Sequence, residues 1–251
     1  MRLDLSCLLC IAALVLPNFG CTVLVSSATS GLADDVSAAL VDQSDPLLVR
    51  DGAPAYLILI DGLIAGSPDN EELLLAAAQL YSAYASAFVD DPARSSQLNA
   101  KARNYGKRVL CLNDAALCAA IVGPFEPFEA QLRMTDDGDL PALYGFASAW
   151  AGWIQANAGD WNAVAELPKV QAMMERVVAL DESYDRGGAH LYLGVLYTLR
   201  PAQMGGLPEI GRTHFERAIE LSDGQNLMAK VFFAENYAKL VFDRNLYDRL
   251  L

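Results

Sequence analysis

Apolar residues recur at helical spacing along the chain from Leu32 onward. Runs of alternating β-branched residues, which would predict strands, are almost absent. The pattern therefore predicts one all-α domain over residues 32–251. The predicted helices cover residues 32–43, 52–65, 70–88, 93–112, 114–121, 125–133, 140–158, 161–166, 168–180, 187–199, 208–222, 225–242 and 244–251.

The segments between these helices combine a helix stop with an N-cap residue. Asp90-Asp91-Pro92 and Gly159-Asp160 are two examples. An Asp side chain at such a position accepts hydrogen bonds from the free N–H groups of the next helix. Because the connections are short, neighbouring helices are predicted to pack as antiparallel hairpins.

Three of the hairpins match the tetratricopeptide pattern of about 34 residues, in which a small residue is followed by an aromatic residue one turn later. The small residue allows the two helices to approach closely, and the aromatic ring fills the gap beside it. These pairs are Ala78 with Tyr81, Ala147 with Trp150, and Gly194 with Tyr197. Since their spacing is unequal, we predict degenerate tetratricopeptide-like hairpins stacked into a superhelix. The alternative is an ordinary helical bundle.

In such a superhelix, the first helix of each hairpin lines an inner groove. The groove positions carry small and apolar side chains with a few hydroxyls and no cluster of cations. This chemistry is typical of a site for a small, largely nonpolar ligand. The alternative is that neighbouring helices bury the same positions as core. The candidate groove residues are Leu75, Gln79, Tyr144, Ser148, Leu191, Val195 and Thr198.

Composition and charge argue against several other classes of protein. Acidic residues number 31 against 18 basic ones, for a net charge of −13, so nucleic acid is not an expected partner. Only two histidines are present, and no common catalytic or nucleotide-binding motif occurs. We therefore expect no metal site, no cofactor and no catalytic residues. A hydrolase with a site that matches no common motif is an alternative.

The N-terminus has the pattern of an export signal. Residues 5–16 are apolar but too short to cross a bilayer as a helix. Gly20-Cys21 resembles a bacterial lipobox, although Asn18 and Phe19 depart from it. We predict a lipoprotein-type signal peptide over 1–20, lipid on Cys21 as a membrane anchor, and a tether over 21–31. Simple cleavage and an uncleaved anchor are the alternatives.

Two of the five cysteines, Cys111 and Cys118, lie inside the predicted domain and beyond the N-terminal segment. On one continuous helix they would be about 10 Å apart, which is too far for a disulfide. A turn at Asn113-Asp114 would bring them together, with Asn113 as a left-handed helix stop and Asp114 as the next N-cap. The alternative is two buried free thiols.

The loop over residues 200–206 interrupts the last well-matched hairpin and ends in paired glycines. Glycine allows positive φ and close approach of the backbone. A loop that gates a ligand or docks a partner is one reading, and a long turn between helices is the other.

A set of loop and helix motifs spans most of the chain. They are Arg50-Asp51-Gly52-Ala53-Pro54-Ala55-Tyr56, Ser67-Pro68-Asp69-Asn70, Gln79-Leu80-Tyr81, Leu180-Asp181-Glu182-Ser183-Tyr184, Gly188-Ala189-His190-Leu191-Tyr192-Leu193-Gly194, Arg200-Pro201, Gly205-Gly206, His214-Phe215-Glu216-Arg217-Ala218-Ile219-Glu220-Leu221-Ser222 and Leu240-Val241-Phe242-Asp243-Arg244. In these motifs the chain resembles the T component (TatT) family of tripartite ATP-independent periplasmic (TRAP) transporters.

The resemblance implies a non-enzymatic periplasmic lipoprotein that works in transport beside the substrate-binding P component of a TRAP transporter. It supplies no catalytic or ligand-binding residues by position. A scaffold or assembly lipoprotein that makes only protein–protein interactions is the alternative, and a homo-oligomer is a further partner left open.

Overall fold

The computed structural model describes Ala39 and residues 42–251. The predicted signal peptide, Cys21, the tether and most of the predicted helix over 32–43 lie outside the described residues. Within the described part of the chain every regular element is helical and no strand occurs, which confirms the all-α class.

Twelve α-helices follow one another in the described residues. They are α1 (Pro46–Gly66), α2 (Glu71–Phe88), α3 (Pro92–Asn113), α4 (Ala115–Ala120), α5 (Phe125–Leu132), α6 (Leu140–Ala156), α7 (Trp161–Val164), α8 (Leu167–Leu180), α9 (Gly188–Thr198), α10 (Pro208–Leu221), α11 (Leu227–Phe232) and α12 (Arg244–Leu250). Short 3₁₀ turns over Asp137–Asp139, Tyr184–Gly187 and Ala202–Met204 precede α6, α9 and α10.

Side-chain caps explain several helix starts. Asn70 caps α2, Asp91 caps α3 and Asp160 caps α7, each through its side-chain oxygen. The first helix begins at Pro46, earlier than the predicted start at residue 52. The reason is that Asp45 accepts hydrogen bonds from the N–H groups of the first turn and proline fits the first helical position.

Two pairs of sequential helices, α2 with α3 and α9 with α10, pack antiparallel. In α2 and α3, a hydrogen bond of 3.0 Å from Asn113 to Glu71 joins the end of one helix to the start of the other. In α9 and α10, Gly194 lies against Phe215 while Thr198, one turn later, lies against Gly211, one turn earlier. Further contacts join α3 to α6, α6 to α8 and α8 to α9.

The buried apolar residues form two clusters. The larger one fills the space among α1–α6 and α8, here called the N-terminal body, with Trp150, Phe128 and Phe146 among its largest fully buried side chains. The smaller cluster consists of Phe215, Phe233 and Tyr237. It lies among α9, α10 and residues 227–238, here called the C-terminal hairpin. The two regions meet where α8 packs on α9.

Cys111 and Cys118 form a disulfide in the structure, with Cα atoms 4.9 Å apart. Asp114 acts as the N-cap of α4, in the position that the sequence predicted for it. The predicted left-handed conformation of Asn113 is wrong, because Asn113 is the last helical residue of α3. The chain turns instead through the extended backbone of Asp114, with φ −136° and ψ 98°.

The predicted helix over residues 225–242 is only partly correct. Its α-helical part ends at Phe232, and Phe233–Ala238 continue with π-helical hydrogen bonding. A turn follows over residues 239–242, where Phe242 has a positive φ of 59°. The turn therefore places the side chains of residues 239–242 differently from a continuous helix.

Candidate functional site

The predicted groove residues on α2 differ in their surroundings. Leu75 is half-buried, and its side chain lies over Gly145 of α6, where a Cβ atom would be 2.5 Å from Leu75 Cδ2. Gln79 is exposed on the same helix. The structure thus brings Leu75 next to α6 and leaves Gln79 on the surface.

Tyr144 and Ser148 of α6 lie close to the 3₁₀ turn that precedes α9. The Tyr144 hydroxyl donates a hydrogen bond of 2.6 Å to Asp185, and the Tyr144 ring packs edge-on against Tyr184 and Tyr192. Ser148 donates to the carbonyl of Gly145 at 3.1 Å. Burial raises the pKa of Tyr144 far above its usual range, so its hydroxyl is a permanent donor.

The turn that Tyr144 contacts has an unusual backbone. Asp185 and Arg186 have φ values of 48° and 54°, followed by Gly187 at 78°. Successive left-handed residues other than glycine are costly and persist only where their surroundings hold them. Gly188 belongs to the same contact, because a Cβ atom there would collide with the Tyr144 hydroxyl.

The predicted groove residues on α9 lie elsewhere. Leu191 and Val195 are half-buried and pack against the aromatic cluster of the C-terminal hairpin. Thr198 is buried, and its hydroxyl donates to the carbonyl of Gly194 at 2.8 Å. Its methyl group packs against Gly211 of α10.

A cavity of about 690 Å³ opens beside the start of α10, here called the α10 cavity. This volume is in the range of small-molecule sites in proteins. Its polar lining side chains are those of Gln203 and Glu209. The complete lining is Pro201, Ala202, Gln203, Gly206, Leu207, Pro208, Glu209, Ile210, Leu240, Val241 and Phe242.

The wall of the cavity exposes an unusual amount of apolar surface. Phe242 is 92% exposed, Leu207 51% and Ile210 41%. Phe242 also has φ 59°, a conformation that bulky side chains rarely adopt. Exposed apolar side chains grouped around a concavity are typical of a binding surface.

Paired glycines shape the loop on one side of the cavity. Gly205 has φ 79°, and a Cβ atom on Gly206 would collide with the carbonyl of Arg200. Both positions therefore require glycine. On the other side Glu209 is held by the Tyr237 hydroxyl, which donates to it at 2.9 Å.

Sequence reasoning identified the loop over residues 200–206 but not the opposite wall of the cavity. The predicted helix over residues 225–242 places residues 240–242 in its last turn. The local signal was Asp243, which caps α12 by accepting a hydrogen bond from Leu246 at 2.9 Å and so marks a break before Arg244.

The described residues show two further properties that bear on function. None of their helices combines the length and apolar character that crossing a membrane requires. They contain no group of three or more His, Cys, Asp or Glu side chains placed to hold a metal ion. The α10 cavity can therefore contact the apolar groups of a ligand, and Gln203 and Glu209 can make polar contacts with it.

Comparison with known proteins gives one result. A family model described as TRAP transporter T-component matches residues 42–251, which is most of the chain and all but one of the residues that the structure describes. No curated protein matches the chain significantly.

Proposed function

The chain belongs to the TRAP transporter T-component family, and from that premise we propose that it associates with the substrate-binding P component and holds a small, largely nonpolar ligand. The family is a transporter accessory family, which agrees with a non-enzymatic role. The proposal further includes a periplasmic location and a lipid anchor on Cys21.

The α10 cavity is the observation that supports ligand binding. A volume of about 690 Å³ is enough for a small molecule, and most of the lining is apolar. We place the ligand here instead of in the predicted groove, because Leu191, Val195 and Thr198 pack within the C-terminal hairpin. The degenerate tetratricopeptide-like superhelix stays part of the proposal, with Leu75, Tyr144 and Ser148 on its inner wall.

A matched pair of substitutions tests ligand binding. The neutral dye N-phenyl-1-naphthylamine fluoresces when it enters an apolar site and can serve as the probe. Ile210→Asn places an amide in the cavity wall and should weaken dye binding by about tenfold or more, since an unpaired amide in an apolar site is unfavourable. Ile58→Asn on α1, where the side chain is 72% exposed, is the control and should bind dye as the wild type does. Equal binding by both variants would remove the cavity from the proposal.

The second candidate function is a scaffold that binds only protein. Its supporting observation is Phe242, whose ring is 92% exposed and so is available to a partner. Sedimentation of the full chain with a purified P component measures this association. Phe242→Asn should weaken it, whereas Trp161→Asn, which removes another ring that is 84% exposed, should not. Loss of association with normal dye binding would favour the scaffold.

A further inference from the structure

We propose that His190 and His214 form an acid-sensitive latch that holds α9 and α10 together with one shared proton and opens when both rings are protonated. The Nδ1 atoms of the two imidazoles are 2.8 Å apart, which is a hydrogen-bond distance. Such a bond needs one nitrogen as donor and the other as acceptor. It can therefore form in the neutral or singly protonated pair and not in the doubly protonated pair.

The surroundings fix both rings in place. His190 is buried, at 5% exposure, and its ring centroid is 5.0 Å from that of His214. On its other side His214 stacks on Tyr197 of α9, with centroids 5.5 Å apart and planes nearly parallel at 3°. Because the two rings lie side by side, a second positive charge would meet the first at short distance.

The charged groups around the pair support a single proton. His190 Nε2 lies 3.6 Å from a carboxylate oxygen of Glu182, beyond hydrogen-bond reach, and that carboxylate is already bound by Arg217 at 3.0 Å. The negative charge of Glu175 on α8 favours the protonated form of His214. Glu175 also accepts a hydrogen bond of 2.6 Å from the Tyr197 hydroxyl. The two carboxylates favour protonation of the pair, but burial outweighs them, Arg217 opposes a proton on His190, and a first imidazolium opposes a second one.

The pKa values agree with this geometry. Burial lowers the pKa of His190, and burial together with His190 lowers the pKa of His214 to about 4. In the unfolded chain both histidines would take up protons near pH 6.5. The contribution of the neutral pair to stability is therefore complete above about pH 6.5 and is lost progressively as the pH falls towards 4.

The latch is connected to the α10 cavity through the chain. The segment that joins α9 to α10 supplies Pro201, Gln203 and Leu207 to the cavity wall. Separation of the two helices would move this wall relative to residues 240–242. Acid would thereby open the cavity, a property that goes beyond the proposed function and does not depend on which ligand or partner it serves.

Histidine NMR of the full chain tests the latch directly, because only two histidines are present. We expect the two Cε1–H signals to titrate as a coupled pair, with the second step near pH 4. Two independent titrations near pH 6.5, as for imidazoles in water, would overturn the proposal. This measurement uses the wild type and does not depend on whether any variant folds.

Unfolding by urea at pH 7 and pH 5 tests the consequence for stability. For the wild type the folding equilibrium should shift towards the unfolded state by roughly 20-fold between these pH values through His214 alone. His214→Gln should remove most of that shift. Hydrogen exchange, corrected for the intrinsic effect of pH, should show faster exchange in α9 and α10 than in α2 and α3 at pH 5. Equal pH dependence in wild type and variant, or uniform exchange across all four helices, would contradict the latch.

Discussion

The N-terminal body and the part of the chain from Asp185 onward differ in their backbone conformations. Every described residue with a positive φ lies at or beyond Asp185, including the non-glycine residues Asp185, Arg186, Asp223 and Phe242. The π-helical segment Phe233–Ala238 also lies there. Backbone strain and π-helical turns concentrate where function requires a particular geometry. This difference agrees with the proposed ligand site in the C-terminal part of the chain.

The N-terminal body is held by polar contacts as well as by its core. Asp61 of α1 accepts hydrogen bonds from Tyr105 at 2.6 Å and Tyr81 at 2.8 Å, and it pairs with Lys101. One carboxylate thus ties three helices together. Near α6, Glu166 accepts hydrogen bonds from Trp150 at 2.5 Å and Arg103 at 2.7 Å. These contacts join α1 to α2 and α3, and α3 to α6.

The largest expected effect is in the core of the N-terminal body. Trp150→Ala removes a fully buried ring and the hydrogen bond to Glu166, so the free energy of unfolding should fall by about 3–5 kcal/mol. Urea denaturation measures the change. Trp161→Ala, at a ring that is 84% exposed, is the control and should have little effect. Similar losses for the two variants would show that the body is not the stable part.

Asp61 offers a test of the polar contacts, with a defined dependence on pH. Burial raises its pKa, but hydrogen bonds from Lys101, Tyr105 and Tyr81 outweigh burial and lower it on balance. Its stabilising effect is present above the ordinary pKa of about 4 and is lost as the pH falls through the lowered value. Asp61→Asn should reduce the free energy of unfolding by about 1–3 kcal/mol at pH 7 and by less at pH 3. Thermal melts at both pH values measure this, and Asp51→Asn at an exposed pair should change the melting temperature much less.

A pair of glycine substitutions should have opposite signs in the two regions. In α9 a Cβ atom on Gly194 would lie 2.6 Å from the fully buried ring of Phe215. Gly194→Ala should therefore destabilise, since overpacking costs about 1–3 kcal/mol and helix propensity returns only about 1 kcal/mol. In α1 nothing lies within 4 Å of the same position on Gly62, so Gly62→Ala should stabilise by up to about 1 kcal/mol. Equal signs in urea denaturation would argue against close packing in the hairpin.

The smallest effect tests the backbone strain. Arg186 has φ 54° and an exposed side chain, so Arg186→Gly should raise the free energy of unfolding by about 0.5–1 kcal/mol. Arg186→Ala keeps the Cβ atom and should give no such gain. Calorimetry of the two variants separates relief of strain from loss of the guanidinium. A gain with alanine as large as that with glycine would mean that the turn is not strained.

Local features of the sequence determined the helical class and most helix boundaries. Helix periodicity places apolar residues on one face, and caps such as Asn70, Asp91 and Asp160 act within one turn of the chain. The same local reasoning located the disulfide turn at Asp114. These features depend on neighbours in sequence, so the sequence is enough to predict them.

Only the tertiary structure decided which neighbour covers each helix face. Helical periodicity predicted that Leu191, Val195 and Thr198 face a groove. In the structure these residues contact α10 and the π-helical segment, within the C-terminal hairpin. The contact between His190 and His214 and the α10 cavity likewise join residues that are distant along the chain. Such contacts depend on how whole helices cross, and the spacing of residues within one helix carries no information about that.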